Sequence, residues 1–177
     1  DLRTFNKDLI LEHDPFKKGP KFIDWISYFR HKFLIINVKE DGLEESILDI
    51  LKINNINNFF FLDQSIPSLI KYANNGLRSI SVRVSEFESV SDAVMLKDLI
   101  DWVWVDQFNI LNLSLKEIKS LKDNGFKLCL VSPELQGRNN DLDVKSLYNH
   151  FYSNGIIIDA VCTKKVSLWA SFENENK

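Results

Sequence analysis

The stretch FLIINVKEDGLEESILDILKINNINNFFFLD, residues 33–63, reads as strand, turn, helix and strand. Its opening, FLIINVK, is an almost wholly apolar run of strand length, the mark of a strand covered on both faces. Gly42 turns the chain into GLEESILDILKINN, which is amphipathic through Leu43, Ile47, Leu48 and Leu51, and NFFFLD is a second short apolar run. A buried strand that finishes on Asn37 and Lys39 needs partners for an amide and an ammonium group, both costly to desolvate alone. Where those two groups point is the functional question the stretch poses.

The same alternation continues on both sides. Upstream, DLILEH is strand-like, and PKFIDWISYFRHK carries Phe22, Ile26 and Phe29 at helical spacing with Pro20 suited to a first turn. Downstream come helix SIPSLIKYANNG, strand SISVRVS, helix SVSDAVMLKDLI, strand WVWVD, helix SLKEIKSLKDNG, strand FKLCLVS, helix DVKSLYNHFYSNG and strand DAVCTK. Short buried strands alternating with helices predict right-handed βαβ units and a parallel sheet in one domain spanning residues 1–177. The strands finish on Lys39, Asp63, Ser85, Asp106, Ser132 and Thr163, at intervals of roughly 20 to 30 residues. In a parallel sheet those ends share one side, where βα-barrels and open α/β sheets both build their sites. The six glycines supply no Gly-x-Gly-x-x-Gly turn and no P-loop, and the strand count exceeds the five of a flavodoxin-like sheet. The expected fold is therefore α/β, a (βα)8 TIM-type barrel.

With 177 residues, 45% apolar content, 22 basic against 25 acidic residues and a net charge of -3, the chain is an ordinary globular domain without the electrostatic footprint of a nucleic-acid partner. No window approaches the apolar length of a membrane span, and DLRTFNKDLILEHD has no signal-peptide core, so a cytoplasmic protein is expected. Cys129 and Cys162 sit in apolar runs and are expected to be buried, reduced thiols; no Cys/His zinc spacing occurs.

Four stretches, DLR at 1–3, LILEHDPF at 9–16, LIINVKEDGLEE at 34–45 and DAVCTK at 159–164, together resemble the glycerophosphodiester phosphodiesterase family of the phospholipase C-like barrels. The resemblance implies a metal-dependent hydrolysis of a glycerol- or polyol-phosphate diester with Mg2+ or Ca2+. It makes Asp1 the second member of a Glu-x-Asp metal pair, and it implies a short hairpin that presents His13, in a His-Asp context, as a catalytic acid or base. Asn37 and Lys39 then fall on a third-strand pair, metal ligand and phosphate-binding catalytic lysine. In the family the Asn37 position usually holds a carboxylate, and a first strand carrying His-Arg-Gly precedes the metal pair; the expectation is that this chain begins after that strand, so that the barrel is incomplete at its N-terminus. A catalytically degenerate barrel that binds a phosphorylated ligand or a protein partner is the competing expectation, supported by Asn37. A third is another βα-barrel enzyme that binds a sugar phosphate beside Gly137 and Arg138, in the long polar loop after the seventh strand.

The residue types suit such chemistry. Diester cleavage needs a proton donor and acceptor near neutrality, as His13 offers, and positive charge on the non-bridging oxygens, as Lys39 offers. Asp63, Arg83, Asp106, Gln107 and Glu134 are the polar groups expected to line a substrate pocket; Arg83 is equally suited to a structural ion pair with Glu86 or Asp63. Trp102 and Trp104 share a strand face and are expected to be core, whereas Trp169 is the candidate for stacking on a glycerol or sugar unit. His31 and His150 lie on helices and are expected to face solvent.

Overall fold

A computed structural model of the chain describes residues 1–110 and 113–175. Its elements run β1 (Leu2–Phe5), β2 (Asp8–Leu11), α1 (Phe22–Ile26), β3 (Leu34–Asn37), α2 (Glu44–Ile53), β4 (Phe59–Leu62), α3 (Ile66–Asn74), β5 (Ser81–Val84), α4 (Val90–Val94), β6 (Trp102–Val105), α5 (Leu115–Asp123), β7 (Lys127–Val131), a 3-10 turn (Pro133–Gln136), α6 (Asp141–Tyr152), β8 (Ala160–Cys162) and α7 (Val166–Glu175). They divide into two compact units, residues 1–81 and 82–177.

In the first unit β1 and β2 form an antiparallel hairpin whose register, Phe5 opposite Asp8, leaves a two-residue turn. Both turn residues, Asn6 and Lys7, take positive φ (49° and 71°), the twist a tight hairpin demands. β3 and β4 pair in parallel, with α2 as the crossover between them. The helix forms because Ile47 and Leu51 bury one face, and Glu44 and Glu45 sit where a helix start favours negative charge. α3 begins at Ser65, whose hydroxyl accepts the Ser68 N–H, and carries Pro67 in its first turn, where the missing N–H is not needed. Phe60 and Phe61 are fully buried in this unit.

In the second unit β5, β6, β7 and β8 lie side by side in that order as a four-stranded parallel sheet. All four residues of β6 are buried, Trp102 and Trp104 among them, so those indoles are core as expected. α5 opens with a capping box: the Ser114 hydroxyl accepts the Glu117 N–H while the Glu117 carboxylate accepts the Ser114 N–H. Cys129 is buried and Cys162 half-buried, both free, and burial pushes both thiols above their ordinary pKa, which keeps them protonated and unreactive at neutral pH.

The architecture is thus α/β, with parallel strands joined through helices. Among the described residues the strands form two pairs and one sheet of four, and a closed eight-stranded barrel is not present. Two helices are shorter than their sequence patterns predict. α1 stops at Ile26 because its buried stripe is only Phe22 and Ile26; Tyr28 is 80% exposed, and the next N–H groups bond three residues back instead. α4 stops at Val94 for the same reason: Met95 is 81% exposed, and the chain reaches buried Ile100 through a run of turns. Among the described residues no helix is long and apolar enough to cross a membrane.

Candidate functional site

Side chains alternate along a strand, and in a parallel pair residues in register point the same way. A parallel bridge joins Leu2 to Val38, and both are buried. Asp1 and Arg3 beside Leu2, and Asn37 and Lys39 beside Val38, therefore share the opposite face. This local rule gathers at one spot three of the residues that the resemblance selects, Asp1, Asn37 and Lys39.

Lys39 is the hub. Its ammonium lies 3.1 Å from Asp63 Oδ2 and 3.8 Å from Asp1 Oδ1, with the three side chains 18%, 20% and 36% exposed. Asp63 follows β4 and takes φ 62°, a left-handed conformation unusual for a residue other than glycine, asparagine or a turn aspartate. That turn accompanies the contact between its carboxylate and Lys39. Two carboxylates thus face one ammonium.

Asn37 differs. Its Oδ1 is buried and has no hydrogen-bond partner, a condition that costs roughly 1–3 kcal/mol. A buried amide oxygen without a donor is an acceptor suited to a hard cation.

His13 stands beyond the end of β2 in a loop pinned at both ends. Its Nδ1 is 2.9 Å from Asp14 Oδ1, and Lys17 approaches the other carboxylate oxygen at 2.5 Å. The hydrogen bonds from His13 and then Lys17 hold the Asp14 carboxyl down to about 2, so it is ionised at any ordinary pH. An ionised partner on Nδ1 orients the imidazole and leaves Nε2, on a ring 68% exposed, facing outward. The loop returns through Gly19, where a Cβ would sit 2.2 Å from the Leu11 carbonyl oxygen, so only glycine permits the Leu11 N–H to reach the Pro20 carbonyl.

Arg3 ties these pieces together. Its Nε donates to the His13 carbonyl at 2.8 Å and its Nη1 to the Lys39 carbonyl at 3.2 Å. One guanidinium thus sets the spacing of the two candidate catalytic residues. Sequence reasoning quoted Arg3 within DLR but gave it no role, because its hydrogen-bond acceptors are main-chain carbonyls 10 and 36 residues away, with Glu40 Oε1 at 3.6 Å from Nη1. Glu44 was missed as well: it is fully buried, accepting from Ser68 Oγ at 2.5 Å, Gln64 Nε2 at 2.7 Å and the Gly42 N–H at 3.0 Å.

The remaining candidates lie in the second unit. Asp106, 4% exposed, accepts from Gln136 Nε2 at 2.7 Å and the Gln107 N–H at 2.9 Å, and Arg83 Nη1 lies 3.4 Å from its Oδ2. Arg83 Nε is 3.9 Å from Glu88, and its guanidinium stacks over Phe108. Asp106 and Glu88 are thus two of its ion-pair partners. Glu86 accepts the backbone N–H groups of Phe108, Asn109 and Ile110. Gln107 is buried, its amide donating to the Val131 carbonyl.

Glu134 is engaged within the protein. It accepts from the Ser132 and Thr163 hydroxyls and from the Lys164 N–H, tying the turn after β7 to the end of β8. Burial pushes its pKa up, but these hydrogen bonds outweigh it and hold the carboxyl below its ordinary value. A carboxyl depressed in the folded state stabilises the fold above its unfolded pKa and loses that contribution as pH falls. Glu134→Gln is therefore expected to lower stability at neutral pH by roughly 1–3 kcal/mol, with the gap from wild type closing under acid; urea melts at a series of pH values measure it. A gap independent of pH would contradict the charge-based account.

Trp169 is 9% exposed, donates its indole N–H to Ser132 Oγ at 2.9 Å, and meets Tyr148 and Phe172 edge-on. It also lines an apolar cavity of about 710 Å³ beside β8, with Tyr152, Ile157 and Val161. His31 is exposed as expected, but His150 is not: it is half-buried, with its Nε2 enclosed and without a partner.

Comparison with models of known families, with curated proteins and with solved structures gives no match.

What the first unit's geometry offers is a proton-transfer group with an ionised orienting partner, an ammonium at a strand end, two carboxylates and one unsatisfied amide oxygen. Among the described residues no group of three or more His, Cys, Asp or Glu side chains is arranged to hold a metal ion. The donor set suits a cation held by one or two carboxylates and an amide, completed by substrate oxygens and water, the usual manner of Mg2+ in phosphoryl sites.

Proposed function

We propose that the chain is part of a βα-barrel phosphodiesterase that cleaves a glycerol- or polyol-phosphate diester with a divalent cation. The observation that carries this reading is the unsatisfied, buried Asn37 Oδ1 at the end of the strand that also presents Lys39 between Asp1 and Asp63. Asp1 and Asn37 would hold the Mg2+ or Ca2+, which polarises a phosphoryl oxygen as a Lewis acid when bound. Lys39 neutralises a non-bridging oxygen, and Asp63, 3.1 Å away, orients the ammonium for that contact. His13 moves a proton at Nε2, to the leaving alkoxide or from the attacking hydroxyl, while Asp14 holds Nδ1. Arg3 keeps His13 and Lys39 in register by gripping both backbones.

Asn37 is also the observation that favours a second reading, a non-catalytic module that keeps the phosphate-binding groups. An amide supplies one charge less than a carboxylate and holds a hard cation more weakly.

The test is calorimetric titration of Ca2+ and Mg2+ into the protein and two variants. Asn37→Asp is expected to tighten cation binding by roughly tenfold or more, and Asn37→Ala to weaken it beyond detection. Equal affinities across all three would remove Asn37 from the cation site. Cation binding without turnover of any diester would leave the module reading standing.

A further inference from the structure

Large apolar side chains scattered singly over a surface need no explanation, but four of the exposed ones fall together between residues 16 and 28: Phe16, Ile23, Trp25 and Tyr28. Phe16 is the extreme, a phenyl ring 98% exposed in the loop between β2 and α1. Its φ of 64° is a left-handed conformation that a bulky residue rarely takes, so the ring is presented to water at a cost in backbone conformation as well as in hydration. The loop is tied on both sides. Lys17 meets Asp14 at 2.5 Å, the Leu11 N–H donates to the Pro20 carbonyl at 2.9 Å, and Lys21 bridges Ile10.

The aromatic surface continues along α1 and the turn after it. Trp25 stacks on buried Phe22 with ring centroids 6.2 Å apart, Phe29 lies 5.9 Å from Trp25, and His31 lies 5.6 Å from Phe29. Arg30 Nη1 donates to the Ser27 and Phe29 carbonyls, both at 2.8 Å, which fixes a cation beside that row of rings. Six residues of extended chain reach at most about 22 Å, so Phe16 and the start of α1 lie within that distance of each other.

Charge selects the partner. Residues 15–32 carry Lys17, Lys18, Lys21, Arg30 and Lys32 against Asp24, a net +4 in a chain whose total is -3, so the remainder carries -7. Asp14 and Asp8 pair with Lys17 and Lys21, which leaves Lys18, Arg30 and Lys32 to set the field around the rings. We propose that the Phe16 loop and the Trp25–Lys32 stretch of the first unit dock on a bilayer surface rich in anionic phospholipid. Phe16 and Trp25 enter the headgroup boundary, and Lys18, Arg30 and Lys32 meet lipid phosphates and carboxylates. Tryptophan and tyrosine among basic residues are the composition of an interfacial anchor, and a ring that stands almost free of the fold is a wedge for a fluid boundary. The docking does not depend on the proposed catalytic activity.

Co-sedimentation with vesicles tests it, using phosphatidylcholine alone and phosphatidylcholine with about one third phosphatidylserine. The full chain is expected to sediment with the second and not the first, and to be released as salt rises. Lys18→Gln and Lys32→Gln are each expected to weaken binding about fivefold, and Phe16→Asn about tenfold or more. Asparagine tolerates the left-handed backbone, so that variant tests the ring and not the turn. All three positions are exposed, so the variants keep the fold. Insertion is read separately, from fluorescence with phosphatidylserine vesicles carrying brominated acyl chains. Trp102, Trp104 and Trp169 are buried, so quenching is expected to fall on Trp25 and to vanish in Trp25→Phe. No sedimentation with the anionic vesicles, unchanged affinity in Phe16→Asn or in the lysine variants, or quenching that persists in Trp25→Phe would overturn the assignment. Retention on polyuridylate as strong as on the vesicles, without quenching, would make the stretch a general polyanion surface and overturn it too.

Discussion

Replacing Lys39 with Met is expected to lower the turnover of a glycerophosphodiester by roughly 10²–10³-fold while the protein remains folded. The methionine keeps an unbranched apolar side chain and removes the ammonium. In the wild-type protein that ammonium is held 3.1 Å from Asp63 and 3.8 Å from Asp1, so its position is set before substrate arrives. A charge fixed in advance stabilises the developing negative charge of phosphoryl transfer without reorganisation, which is why its loss falls on kcat as well as on binding. The two carboxylates left behind repel the substrate's phosphate and deepen the effect. A measured kcat within a few-fold of wild type would remove Lys39 from the chemistry and make it a structural partner of Asp63.

The second large effect is on stability. Glu44→Ala is expected to destabilise the protein by about 3 kcal/mol, because it strands the buried Ser68 hydroxyl and takes the acceptor from the part-buried Gln64 amide and Gly42 N–H. Ser68 and Gln64 belong to α3 and to the turn after β4, while Gly42 begins the turn into α2, so one carboxylate joins the two helices that flank the β3–β4 pair. Glu44→Gln retains one acceptor oxygen and is expected to lose less. Denaturant unfolding at neutral pH measures both. Equal stability of wild type and Glu44→Ala would mean that water reaches the site and satisfies those donors.

The strands were the most legible part of the chain, and the reason is physical. A strand buried on both faces must be apolar throughout, so FLIIN, FFFL, WVWV and KLCLV stand out against helices that need only one apolar stripe. Helix starts at Ser65, Ser89 and Ser114 are equally plain, because a serine that accepts the N–H three residues on solves a local problem with local residues. Helix ends at α1 and α4 were overrun, since Tyr28 and Met95 continue an apolar spacing in sequence yet find nothing to pack against. α7 and the 3-10 turn at Pro133 were not anticipated.

The candidate site was legible only where it consists of side chains at strand ends. Lys39 and Asp63 meet because both terminate neighbouring parallel strands, a consequence of the alternation itself. Arg3 and Glu44 were not legible because the groups they bond, main-chain carbonyls for Arg3 and a hydroxyl, an amide and a backbone N–H for Glu44, are brought together by the fold, and neither residue type signals burial in sequence. His150 was misplaced for a related reason: a histidine on a polar helix looks solvated until the opposite wall, here Arg138 and Gln107, is known.

The most direct test of the central claim is hydrolysis of a glycerophosphodiester by the purified protein in the presence of Mg2+ or Ca2+ and after chelation. The account predicts turnover that requires the cation and falls roughly 10²–10⁴-fold in His13→Ala. Absence of any cation-dependent turnover in the protein as its cells make it, or equal turnover by wild type and His13→Ala, would contradict it.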